Sequence, residues 1–286
     1  MKGGGYILKT TYLAPNKLDE VLEPLREDPD GTMVMAGGTA LLWVVGLFGK
    51  PVSPRRVISL HNLSELLGQV KRRPVIELGA LVSLATIAGE VPAETVMPSV
   101  LSQASRSCGF PGIRRTATLG GNLANNMLSQ LMPALAVLGA SLHMSSSSED
   151  RTVDLAKNIS EGAYYPICSP DEIITSVSLP TDSVEARQAY VDFSSPGKFP
   201  VVVASAFSQG LLRVALLSDQ KLSLWITETD SNMLEKQEVE LSDAACVSFG
   251  LTDASPVGEI DVYRRRTMVA KALKLTSVDN PPIGRV

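Results

Sequence analysis

Apolar side chains in the first part of the chain recur alternately at helical and at extended spacing. Leu18, Val21, Leu22 and Leu25 make one stripe and predict a helix over 18–25; Met33, Val34 and Met35 form a short run that predicts a strand. That strand enters Ala36, Gly37, Gly38 and Thr39, a tight turn, and an apolar segment follows over 41–45. Strands are expected at 57–60 and 75–80, with a turn of helix at 63–67 between them. Ser83 is placed to cap a helix reaching about residue 89, and 98–108 reads as a second one. A stretch rich in glycine, threonine and asparagine, 109–126, precedes a helical pattern at 133–138. Strands then follow at 140–144, 153–155 and 172–179, and the polar run 145–151 is expected as a surface loop.

Beyond Glu185 the texture changes. Extended runs at 190–193, 201–207, 211–217, 222–227 and 247–251 succeed one another at hairpin distance, and 263–275 closes the chain as a helix. This clustering predicts an α+β protein, with a larger mixed unit over 1–183 and a small antiparallel sheet-and-helix unit over 184–286.

With 286 residues, 44% of them hydrophobic, the chain can bury a full core, and its net charge of −4 gives no attraction to nucleic acid. The basic runs 71–73 and 264–266 read as solvated faces. Residues 1–10 have no signal-peptide pattern, and the apolar stretch 40–48 is too short for a membrane span, so a cytoplasmic chain is expected. Cys108, Cys168 and Cys246 lie far apart, and His61 and His143 belong to no ligand motif, so neither a metal site nor an iron–sulfur cluster is expected. A nucleophile elbow, a phosphate loop and a Gly-x-Gly-x-x-Gly fingerprint are all missing.

Two double-glycine segments remain. They are Ala36-Gly37-Gly38-Thr39 and Thr118-Leu119-Gly120-Gly121-Asn122. Successive amides exposed by glycine make a concave donor site, and two such loops could hold the two phosphates of a dinucleotide without lysine. For either loop alone, an ordinary glycine turn is the commoner explanation.

Residues 36–42 resemble the first flavin loop, an Ala-Gly-Gly-Thr-Asp-Leu-Leu type, of the flavin-binding subunits of molybdenum hydroxylases, the xanthine and carbon monoxide dehydrogenase family. Residues 113–125, from Ile113-Arg114 through Thr118 and Gly120-Gly121-Asn122 to Asn125, are similar to the second, an Ile-Arg-Asn-x-Ala-Thr-Ile-Gly-Gly-Asn type. Weaker likenesses at 57–67, 171–180 and 263–265 follow in the family's order. The resemblance implies a two-part FAD-binding domain, an N-terminal α/β portion plus a larger mixed portion, ahead of the small C-terminal domain. It places FAD against Met35, Ala36, Gly37, Gly38, Thr39, Ala40, Leu41, Ala117, Thr118, Leu119, Gly120, Gly121, Asn122, Asn125, Asn126 and Ile173.

The same resemblance implies partners: a ferredoxin-like iron–sulfur subunit, a molybdopterin-binding large subunit, and NAD or another electron acceptor. Electrons would pass from the iron–sulfur centres through FAD to that acceptor. The chain departs from the family pattern where Ala40 replaces an aspartate and where Leu131 occupies a stretch that elsewhere offers an acid near the adenosine. The segment 191–198 differs as well. These departures imply weakened FAD binding, or a structural subunit of the same assembly as the alternative. Gly38 and Gly120 or Gly121 are expected to be glycine because a ligand approaches their backbone.

Overall fold

The apolar stripe of the first predicted helix has to be buried, and the first short strands supply the surface that buries it. A computed structural model describes residues 10–40, 54–72, 74–93, 95–125, 129–162, 167–194, 200–218, 221–251 and 259–278. Strands β1 (Thr11–Leu13), β2 (Thr32–Met35) and β3 (Arg56–Ser59) form a parallel sheet in the order β1-β3-β2, with helix α1 (Asp19–Glu27) connecting the first two. Val21, Leu22 and Leu25 pack with Ile58, Leu60, Leu63 and Leu66 in a small core that also takes in Leu81 and Ile173 from the next layer. The helical turn expected at 63–67 is a single 3-10 turn, Ser64–Leu66.

The second layer contains β4 (Gln69–Arg72), β5 (Val75–Gly79), the helices α2 (Leu84–Ile87), α3 (Ser99–Ser107), α4 (Pro111–Thr116), α5 (Leu119–Ala124) and α6 (Leu131–Val137), then β6 (Ser141–Ser145), β7 (Asp150–Asp154), α7 (Leu155–Ser160) and β8 (Ile173–Pro180). Its antiparallel sheet runs β4-β5-β8-β6-β7. The segment 109–126 thus holds two short helices that its composition did not suggest. Pro111 opens the first, where its missing N–H is no loss, and Thr118 caps the second by accepting from the Gly121 amide. The loop expected at 145–151 contracts to a turn, with Ser146 N donating to Glu149 O at 2.9 Å, so Ser145, Asp150 and Arg151 are strand residues of a hairpin. Leu155 starts a helix because Asp154 accepts from the Lys157 amide at 3.0 Å.

Strands β9 (Arg187–Asp192), β10 (Val202–Ser208), β11 (Leu211–Ser218) and β12 (Lys221–Glu228) form an antiparallel meander, followed by helices α8 (Ser231–Lys236), α9 (Glu238–Ser248) and α10 (Glu259–Ser277). The extended run expected at 247–251 is instead the end of α9. Gly250, at φ +71°, turns the chain, and Leu251 N reaches back to Cys246 O at 2.9 Å, a helix-terminating arrangement that overrides the β-propensity of the run.

The two central strands of this sheet, β10 and β11, are buried on both faces. Val202, Ala204, Ala206, Ala215 and Leu217 join the core around α6, while Val203, Phe207, Leu212, Val214 and Leu216 face Met268, Val269, Ala272 and Leu273 of α10. Burial on both faces explains why β10 and β11 read as nearly continuous apolar runs. No helix among the described residues is long and apolar enough to cross a membrane.

Candidate functional site

The first double-glycine loop begins where β2 ends. Met35 O accepts from Leu60 N at 2.9 Å, the last rung of the β2–β3 pairing, and the chain then turns through Gly38 at φ +68°. A Cβ on Gly37 would overlap the carbonyl oxygen of Thr116 and lie 2.7 Å from its carbon, so only glycine lets this loop rest on the end of α4. The amides of Gly37, Gly38, Thr39 and Ala40 donate to no acceptor among the described residues, and all four residues are half-buried. Amides left without partners at a half-buried loop suit an anion.

The second loop is wired differently. Leu119 N donates to Val82 O at 2.9 Å, Gly120 N to Ala80 O at 2.8 Å, and Asn122 N to Thr118 O at 2.9 Å. The Gly121 amide is taken by the Thr118 hydroxyl at 3.2 Å. Gly120 is buried, and a Cβ there would come within 2.7 Å of the Ala80 Cβ. Packing on Ala80 is by itself enough to require glycine at 120. Gly121 is exposed, and a Cβ on it would lie 2.9 Å from Thr118 Oγ1 and 3.5 Å from the Ala36 Cβ. The two loops are thus side by side, with Gly121 open between them.

A buried arginine anchors the second loop. Arg114 is 7% exposed; its guanidinium donates to Gly109 O at 2.6 Å, to Arg106 O at 3.1 Å and, through Nε, to Glu90 Oε1 at 2.9 Å. The guanidinium beside it holds the Glu90 carboxyl below the usual carboxylate range. Arg114 lies on the helix whose last carbonyl supports Gly37, so this pair positions both loops. The place of Arg114 in the segment resembling the second flavin loop was the sequence signal for it; Glu90 and Ala80 carried none.

The structure brings most of the expected site residues together. Residues 35–40 stand beside the turn 117–122, with Gly37 on Thr116 and Gly121 next to Ala36, while Leu119, 0% exposed in the main core, and buried Gly120 support the turn from beneath. Ile173 is 5% exposed and lies in the apolar cluster against which Ala36 packs. Asn125 caps the end of α5. Leu41 and Asn126 lie outside the described residues, as does Lys198. Leu131 is 0% exposed in the main core, so it cannot be an acceptor lost from the adenosine end. Nearby, Gln130 Nε2 donates to Ser194 Oγ at 3.2 Å, tying the segment before α6 to the end of β9. The three cysteines are free, and burial pushes the Cys108 and Cys168 thiols up to about 12, which keeps them protonated and unreactive.

The family described as FAD binding domain in molybdopterin dehydrogenase matches residues 8–182, more than half of the chain and all of both loops. The chain belongs to that family. Its cofactor is FAD. The chain is 26% identical to the caffeine dehydrogenase subunit beta of Pseudomonas sp. (strain CBB1), covering 72% of this chain and 72% of that one. It is 24% identical to the carbon monoxide dehydrogenase medium chain of Afipia carboxidovorans, over 63% of this chain and 61% of that one. A solved carbon monoxide dehydrogenase from Hydrogenophaga pseudoflava, one which lacks the Mo-pyranopterin moiety of the molybdenum cofactor, superposes with a TM-score of 0.75 at 18% identity, over 94% of this chain and 97% of that one. That likeness shows the shared two-part flavin fold with its antiparallel C-terminal sheet. The residues present fit the cofactor of this family: the free amides of 37–40 suit a pyrophosphate, and the exposed Gly121 leaves room beside them.

Proposed function

We propose that this chain is the FAD-binding electron-transfer subunit of a xanthine dehydrogenase-like molybdenum hydroxylase, receiving electrons from iron–sulfur centres in a partner subunit and delivering them to NAD or another acceptor. The observation that carries this reading is the pairing of the two glycine loops, one whose amides have no acceptor among the described residues and the other with its surface open at Gly121. FAD supplies the redox chemistry when bound. The chain's own part is to bind and orient it. The amides of Gly37 to Ala40 take the pyrophosphate, the Thr118–Gly121 turn walls the other side, and Ile173 with Ala36 closes an apolar flank. Met35, Leu41, Ala117, Leu119, Asn122, Asn125 and Asn126 complete the proposed lining.

Two of the relatives, a subunit beta and a medium chain, support a place in a multi-subunit enzyme. The proposed partners are a ferredoxin-like iron–sulfur subunit and a molybdopterin-binding large subunit, assembled in the cytoplasm. We divide the chain into a flavin domain over 1–183 and a C-terminal domain over 184–286.

One observation favours a second reading, a structural subunit with weak flavin binding. The amides of the second loop are all committed within the protein, and Ala40 offers no acceptor, so the set of hydrogen bonds to FAD is smaller than the motif promises. Each missing bond weakens binding by about 0.5–1.5 kcal/mol. Flavin-fluorescence titration of the purified chain separates the two. Saturation at one FAD per chain, together with recovery of iron–sulfur and molybdenum-type chains on a tagged subunit, is expected. Failure to saturate at high FAD, with the same partners recovered, establishes the structural subunit instead.

A further inference from the structure

Away from the flavin loops, a crevice of about 320 Å³ lies where the two antiparallel sheets part beyond the end of α6. Its origin is in the register of the last sheet. Along β11 the face that packs on α6 carries Leu217 and Ala215, both buried, and the next position on that face is Arg213, paired across the strands with Ala206 and Ile226. Helix α6 ends at this level, with Gly139 at φ +68°, so the guanidinium stands where the helix no longer covers the sheet.

Arg213 is half-buried and has no hydrogen-bond or ionic partner among the described residues. Two carboxylates lie on the rim, and both are already engaged. Asp154 accepts from the Lys157 amide, and Asp182 accepts from the Gln209 side chain. Ser183 also lines the crevice, but its hydroxyl oxygen is closed off from the open space. A half-buried guanidinium without a partner among the described residues, set in a crevice beside apolar side chains, offers a fork to an acceptor from outside the chain. Val137, Leu138, Leu211 and Ile226 form an apolar patch beside Ser208 and Gln209.

We infer that this crevice binds a small organic carboxylate, its anionic end on Arg213 and its hydrocarbon body against Leu138, Leu211 and Ile226. A carboxylate matches the fork of a guanidinium. A dianionic phosphate also matches it but would be repelled about twice as strongly by Asp154 and Asp182. The crevice volume, near the lower end for ligand pockets, suits a body of one ring.

Benzoate is the probe, titrated into the full chain while amide nitrogen shifts are followed by NMR, with benzamide as its neutral isostere and inorganic phosphate as the competing anion. Saturable benzoate shifts confined to the lining segments 137–139, 154–156, 180–186, 206–213 and 226 are expected. Benzamide and phosphate should bind at least about tenfold more weakly, and Arg213→Gln should weaken benzoate about tenfold or more. Because Arg213 has no partner to lose, the variant should melt where the parent does, and Arg213→Lys should recover part of the affinity. The inference is overturned if benzoate does not bind, if its shifts map elsewhere, if phosphate binds as tightly, or if Arg213→Gln binds it as the parent does.

Discussion

The two glycine loops look interchangeable in the sequence, yet the structure gives each pair of glycines a different division of labour. In the first loop, Gly37 is needed for contact with the Thr116 carbonyl and Gly38 for a left-handed turn, and the amides have no acceptor among the described residues. In the second, Gly120 is needed for contact with Ala80, Gly121 faces outward, and every amide from Leu119 to Asn122 is taken by the protein. One loop is a donor, the other a wall. A double glycine marks close approach of backbone, but it does not say whether the approaching group is a ligand or another part of the same chain.

Substitutions at the individual glycines can break that comparison. Gly37→Ala should have the largest effect, because its methyl meets a backbone carbonyl that cannot rotate away; a loss of at least about 3 kcal/mol in denaturant unfolding is expected, accompanied by loss of FAD. A variant as stable as the parent would mean that the loops do not rest on each other. Gly120→Ala comes next. Its methyl crowds Ala80, and about 1–3 kcal/mol should be lost, with FAD affinity falling only as far as the fold is disturbed. Full stability with lost FAD would return this glycine to the ligand. Gly121→Val should have the smallest effect on the fold, about 0.5–1 kcal/mol, because the position is exposed although its Cβ crowds the capping Thr118 hydroxyl. It should nevertheless raise the FAD Kd about tenfold or more by filling the space between the loops, measured by fluorescence titration. Unchanged affinity would remove the second loop from the site.

The same contrast explains what could be read in advance. Helix α1, the meander β9–β12 and helix α10 were legible because their burial follows from local periodicity: Val21, Leu22 and Leu25 fall on one helical stripe, and the β10 and β11 runs are apolar on both faces. The run at 247–251 was misread because its β-propensity is local while the α9 terminus at Gly250 is set by packing on α10.

At the site, the positions of both loops in the chain, and their likeness to a flavin-binding family, were present in the order of the residues alone. So were the caps at Ser83 and, in retrospect, Thr118, since a hydroxyl a few residues ahead of the amide it accepts is a local signal. What only the tertiary structure decided is which amides are free, which glycines meet protein, and that Leu131 points into the core. Each of these depends on a partner distant in sequence: Thr116 for Gly37, Ala80 for Gly120, Glu90 for Arg114. A hydrogen bond or a steric contact between such residues exists only once the layers have packed, and composition and spacing hold no record of it.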